Sequence, residues 1–123
     1  MGTYAVLMFA DPAHTRAMSE SALAVVARKH ATLREELTES GELLGGSGLA
    51  LPDETTVLRL GSSGVVTQQA PLVADAVEHL TAYYEIECNS VSRAQEMAAR
   101  VLDDHVTAVE LRRIHDGVVP VAR

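Results

Sequence analysis

The sequence has little of several features on which other classes of protein depend. It has no tryptophan, one phenylalanine and one cysteine, and no apolar run of about 18 residues that would span a bilayer. Aromatic residues make up 3% of the chain, so few rings are available to stack on bases, and the net charge of −7 repels a phosphate backbone. We therefore expect no nucleic-acid or membrane partner, and a soluble, cytoplasmic protein.

The single cysteine, Cys88, cannot form an intramolecular disulfide, and it has no second cysteine for a metal motif. Glu85 and Glu87 lie two residues apart, but no histidine pair or third acid stands at ligand spacing, so we expect no metal and no cofactor. With 123 residues, of which 47% are hydrophobic, the chain is long enough for one domain, residues 1–123, with an aliphatic core.

Residues 80–88 (LTAYYEIEC) are predicted to form the central strand. Alternation places Tyr83, Glu85 and Glu87 on one face and the intervening residues on the other. Further strands are predicted at residues 4–10, 43–51, 55–60, 65–68 and 107–115. The segment 43–51 contains three glycines, which indicate a bulge or a close approach of another backbone or a ligand.

Two helices follow from apolar periodicity and capping residues. The first runs from Ser19 to Gly41, and its stripe is Leu23, Val26, His30, Leu33 and Leu37. The second is capped by Asn89 and by the pair Ser90 and Ser92, with Ser92 and Gln95 in capping-box register. Residues 11–18, which include His14, are predicted to be a surface loop, and residues 69–79 either a short helix or an ordered loop.

This order of elements predicts a ferredoxin-like βαββαβ fold of the α+β class. Both helices cover one face of an antiparallel sheet, and the other face is not uniformly polar. We therefore predict a homodimer in which two sheets pack face to face.

Four segments together resemble the YCII-related family, including its branch named for an Asp-Gly-Pro-Phe motif. The segments are VLMFAD (6–11), HATLREELTESGELLGGSG (30–48), AYYEIE (82–87) with AQEMAAR (94–100), and VELRRIH (109–115). The resemblance covers roughly residues 3–116. It implies the dimeric α+β barrel fold. The named motif is reduced here to Gln69-Ala70-Pro71-Leu72, which retains the proline and lacks the acid.

The resemblance also implies a catalytic histidine paired with an aspartate. The histidine of the family pattern falls on His30, and the acid falls on either Asp11 or Asp103. Glu110 and Arg112 fall on the charged pair of the family's last strand.

Two functions from different classes are predicted. The first is a small-molecule enzyme without a cofactor, in which His30 acts as a general base in a cleft between helix and sheet, and Arg112 stabilises an oxyanion. Lyase, isomerase or dehydrohalogenase chemistry fits this site. The alternative is a noncatalytic metabolite-binding or accessory dimer. Tyr83, Glu110 and His14 are further candidates for contact with the ligand.

Overall fold

The computed structural model describes residues 1–118 and has an α+β architecture. The three helices are α1 (Pro12–Ala17), α2 (Glu20–Glu39) and α3 (Val91–Ala99). The six strands are β1 (Gly2–Ala10), β2 (Leu43–Gly48), β3 (Val57–Gly61), β4 (Gly64–Gln68), β5 (His79–Cys88) and β6 (Ala108–Arg113). Strands β3 and β4 form a separate hairpin.

The main sheet has four strands in the order β2-β5-β1-β6, and all neighbours are antiparallel. This order is compatible with the predicted ferredoxin-like fold. Strand β5 lies between two others, so the prediction that residues 80–88 form a central strand is confirmed. Within residues 1–118 the sheet stays open and does not close into a barrel.

One face of the sheet carries the core. Val6 and Met8 on β1 and Tyr84, Ile86 and Cys88 on β5 are buried there. They pack with one cluster of residues from the helices and from the segment that follows α3: Leu33, Leu37, Ala94, Met97, Ala98, Val101 and Val106. The period-2 pattern of β5 makes this possible, because the residues between them, including Tyr83 and Glu85, point to the other face.

Helix α2 begins and ends where its sequence predicts. The Ser19 side chain accepts a hydrogen bond from the Ala22 amide at 3.1 Å, and Gly41 follows the helix with φ of 76°. The predicted apolar stripe packs only in its second half. Leu33 and Leu37 are buried, whereas Leu23 is 40% exposed because the first turns of α2 extend past the core.

One local prediction is wrong, and two that left alternatives open are decided by the structure. Residues 12–17 form a helix rather than a loop, because the Asp11 carboxylate caps it at 2.9 Å from the Ala13 amide and Pro12 occupies its first turn. Ser90 rather than Ser92 caps α3, and its hydroxyl oxygen accepts from the Arg93 amide at 3.1 Å. Residues 69–78 form turns and bends, the second of the two alternatives.

Among the described helices, none combines the length and apolar character that crossing a bilayer requires.

Candidate functional site

A pocket of about 320 Å³ lies between α2 and the core face of the sheet. Apolar side chains such as Met8, Val26 and Val106 form part of its wall. Several polar side chains also line it, and three of them carry an imidazole or a phenol that can take part in acid–base chemistry: His30, Tyr84 and His105. Apolar walls with a few convergent polar groups are typical of small-molecule sites.

The closest polar contact in the pocket joins α2 to the central strand. Nδ1 of His30 lies 2.6 Å from the hydroxyl oxygen of Tyr84, and the two rings meet edge to face with centroids 5.9 Å apart. His30 lies on the face of α2 that packs on the sheet, and alternation along β5 places Tyr84 on the sheet face that packs on the helix. Nε2 of His30 has no hydrogen-bond partner within residues 1–118.

Both members of this pair are neutral near pH 7. Burial lowers the pKa of His30, the positive charges of Lys29 and Arg34 lower it further, and Asp103 opposes them. Burial likewise raises the pKa of the Tyr84 hydroxyl, against the lowering effect of Arg34. A phenol is a better donor than a neutral imidazole, and an imidazole nitrogen is a better acceptor than a phenol oxygen. Tyr84 therefore donates to Nδ1, and Nε2 of His30 carries the ring hydrogen.

Gly46 on β2 makes room for the Tyr84 ring. It pairs with Tyr84 across the sheet and has φ of 149°. A Cβ at this position would lie 2.7 Å from Cδ1 of Tyr84, well inside van der Waals contact. The register of β2 also shifts between Leu43 and Gly45. The glycine-rich segment therefore marks a bulge and a close approach of backbone, as predicted.

Arg34 supplies positive charge beside this pair. Its guanidinium carbon lies 5.7 Å from the centroid of the Tyr84 ring, and one of its nitrogens donates to the Gly46 carbonyl at 3.4 Å. Arg34 is exposed and forms no ion pair within residues 1–118. A guanidinium in this state is available to bind an anionic ligand.

His105 enters the pocket from the segment between α3 and β6, and the sequence analysis did not single it out. Its Nδ1 lies 3.2 Å from the hydroxyl oxygen of Thr15 on α1. The sequence carried only a weak signal for it, namely a histidine in the segment that returns from the second helix to the sheet.

Asp103 organises that segment. One carboxylate oxygen accepts from the amides of His105 and Val106 at 2.8 and 2.7 Å, and the other lies 3.0 Å from Nζ of Lys29. Burial raises the pKa of this carboxyl, but these hydrogen bonds and the Lys29 charge outweigh it, so the pKa is lowered. No hydrogen bond joins Asp103 to His30 in the described chain, and its effect on His30 is through its charge.

The other predicted site residues lie outside the pocket. Asp11 caps α1, and His14 is exposed on that helix. Tyr83 points to the open face of the sheet, and so do Glu110 and Arg112, whose side chains are 3.9 Å apart and exposed. Of the predicted residues, the structure places His30 in the pocket and Asp103 in the segment that forms its edge.

A second cavity, of about 590 Å³, is lined mainly by apolar residues such as Phe9, Leu72 and Leu80. Its histidine, His79, already contacts the carbonyl of Ala76 through Nε2 at 2.8 Å. The first pocket therefore has more histidine and tyrosine side chains available for acid–base chemistry than the second.

Residues 1–118 contain no group of three histidine, cysteine or acidic side chains placed to hold a metal ion. No protein-family model matches this chain, and none of the curated proteins is significantly similar to it.

Proposed function

We propose that the protein is a small-molecule enzyme without a cofactor, which catalyses proton transfer on an enolisable carbonyl compound in the pocket beneath α2. The observation that carries this proposal is the 2.6 Å contact between His30 and Tyr84 inside that pocket. It fixes the orientation of an imidazole whose other nitrogen is free for a ligand.

The tautomer of His30 suggests its role. A neutral imidazole that presents Nε2–H can donate a hydrogen bond to a carbonyl oxygen and stabilise the enolate that forms when the adjacent carbon loses a proton. This role differs from the general base predicted from the sequence. Arg34 lies close enough to the same ring system to bind an anionic group of the substrate.

Proton exchange tests the proposal without knowledge of the natural substrate. The protein is incubated in D2O with a panel of small 2-oxo acids, such as pyruvate and 2-oxobutyrate, and loss of the C3–H signal is followed by ¹H NMR. We expect exchange above the buffer rate, and a loss of about 100-fold or more in His30→Leu, because a donor to the developing oxyanion is removed.

The matched control is His115→Leu, which changes a histidine that does not line the pocket. Circular dichroism shows whether both variants fold. The proposal fails if the natural sequence exchanges none of the panel, or if folded His30→Leu exchanges at the original rate.

A noncatalytic metabolite-binding or accessory role is the second candidate. This candidate is favoured because the Asp103 carboxylate already accepts hydrogen bonds from Lys29 and from two backbone amides. Within residues 1–118, no carboxylate is hydrogen-bonded to His30. A compound that raises the melting temperature through binding to the folded state, and whose protons do not exchange, would support this role.

We also propose that the protein forms a homodimer through the open face of the sheet, in the dimeric α+β barrel arrangement. Tyr83, at 38% exposure, contributes an apolar ring to that face. The β3–β4 hairpin supports the same proposal, because it exposes Leu58, Leu60, Val65 and Val66 at 56–88%. An isolated two-stranded hairpin is marginally stable in water, and contact with a second chain would stabilise it.

Light scattering coupled to gel filtration tests the dimer. At micromolar concentration we expect about twice the chain mass of 13.1 kDa. Tyr83→Glu should shift the mass to that of one chain, because it places a charge in the apolar contact. Leu102→Glu is the control, since Leu102 is similarly exposed, at 46%, but follows α3 on the helix side. A single-chain mass for the natural sequence would rule out the dimer.

A further inference from the structure

His105 is held in a fixed position relative to the helix that carries His30. Its amide donates to the Asp103 carboxylate at 2.8 Å, and the same carboxylate binds Lys29, the residue before His30 on α2, at 3.0 Å. Lys29 also donates to the carbonyl of Leu102 at 2.9 Å. The segment that carries His105 is thus tied to α2 at two points.

The contacts of Thr15 favour one tautomer of His105. The Thr15 hydroxyl lies 3.2 Å from the carbonyl oxygen of Asp11, which can only accept, and 3.2 Å from Nδ1 of His105. With a single hydroxyl hydrogen, both contacts are hydrogen bonds only when the hydroxyl donates to Asp11 and accepts from Nδ1–H of His105. In neutral His105 the lone pair is therefore on Nε2, which has no hydrogen-bond partner within residues 1–118.

The two histidines that line the pocket thus present opposite hydrogen-bonding groups at Nε2. Nε2 of His30 carries a hydrogen and is a donor, whereas Nε2 of neutral His105 carries a lone pair and is an acceptor. Taking the proposed function as its basis, we infer that His105 is the catalytic base that removes the substrate proton, and that His30 stabilises the enolate.

The reaction needs only groups that the pocket and the solvent supply. Nε2 of His105 takes the proton from the carbon next to the carbonyl. The electron pair of the broken C–H bond forms the carbon–carbon double bond of the enolate, and the π pair of the carbonyl moves onto its oxygen. The oxygen receives the hydrogen bond from Nε2 of His30. In D2O the protonated His105 exchanges the proton on Nε2 for a deuteron from the solvent. It then delivers that deuteron either to the same carbon, which gives exchange, or to another position of the delocalised anion, which gives an isomer. The net reaction consumes no co-reactant.

The same geometry indicates the substrate class. A carboxylate would bind Arg34, a carbonyl oxygen would accept from His30, and a C–H bond beside that carbonyl would face His105. A small 2-oxo acid carries all three groups and suits a pocket of about 320 Å³.

The D2O exchange assay with pyruvate separates this inference from the proposed function. His105→Gln should lose exchange by about 100-fold, the scale of a general base, while pyruvate still raises its melting temperature, because Arg34 and His30 remain. In His105→Ala, added imidazole should restore part of the exchange, after subtraction of exchange by imidazole alone. The same imidazole should not restore exchange in folded His30→Leu.

Thr15 is a positioning residue in this scheme, and a conservative replacement tests it. Thr15→Val removes the acceptor for His105 and should lower exchange, whereas Thr15→Ser keeps a hydroxyl and should retain it at a similar melting temperature.

The outcomes are distinguishable. If folded His105→Gln exchanges at the natural rate while His30→Leu does not, the role of His105 is refuted and the proposed function survives. If the natural sequence exchanges no 2-oxo acid, both are refuted.

Discussion

Replacement of Tyr84 by phenylalanine tests the contact on which the candidate site depends. Tyr84 is 4% exposed, and its hydroxyl has one hydrogen-bond partner in the described chain, Nδ1 of His30 at 2.6 Å. Tyr84→Phe keeps the ring, its packing in the core and the contact of that ring with Arg34, and removes the hydroxyl with its hydrogen bond to His30 and its interaction with the Arg34 guanidinium.

The expected cost comes from two contributions. The lost hydrogen bond between neutral groups is worth about 1 kcal/mol, and a partly buried nitrogen left without its donor adds up to a similar amount. His30 is only half-buried, so pocket water replaces part of the interaction. We therefore expect the free energy of unfolding to fall by about 1–2 kcal/mol. With a urea m-value of about 2 kcal/mol/M, the midpoint should fall by roughly 0.5–1 M at unchanged m.

Tyr4→Phe is the matched control. Tyr4 also packs against the core, and its hydroxyl has no hydrogen-bond partner within residues 1–118, so its loss should cost less than about 0.5 kcal/mol. In a His30→Leu background the cost of Tyr84→Phe should shrink, because the partner is gone. Equal urea midpoints for Tyr84→Phe and the natural sequence would contradict the hydrogen bond and the tautomer assigned to His30.

Two further predictions concern the same pocket. Gly46→Ala should lower stability by about 1–3 kcal/mol in urea unfolding, because its Cβ would overlap Tyr84, whereas Gly48→Ala, with nothing within 4 Å of the new Cβ, serves as the control. An alanine at Gly46 that costs no more than one at Gly48 would contradict the close approach. Stability should also fall as pH decreases below about 6.5, because burial lowers the pKa of His30 and the unfolded chain then binds more protons than the folded one. His30→Gln should flatten this part of the pH profile, and an unchanged slope would show that other groups cause it.

The fold was largely predictable from local patterns. Alternation along residues 80–88 predicted which face of β5 is buried, and Ser19 and Gly41 marked the ends of α2. Helix α1 was missed because six residues carry too little periodicity, although Asp11 and Pro12 form a recognisable start. Ser90 and Ser92 both suit a cap, and only backbone geometry distinguishes them.

The candidate site was predicted in part. His30 interrupts an apolar stripe, and that alone made it conspicuous. Its partner could not be read from the sequence, because residues 30 and 84 are joined only when the helix packs on the sheet. Asp103 was selected as a catalytic acid, yet in the structure its carboxylate holds the backbone of His105 and the side chain of Lys29.

The sequence by itself determined the periodicities, the ends of the main helix and the exclusion of a cysteine-based metal motif or an intramolecular disulfide, because each depends on neighbouring residues or on composition. Tertiary structure alone decided that Tyr84 rather than Tyr83 faces His30, and that Thr15 reaches His105 across 90 positions of the chain. Such contacts depend on strand register and helix packing, which arise from the burial of the whole core and not from any single segment.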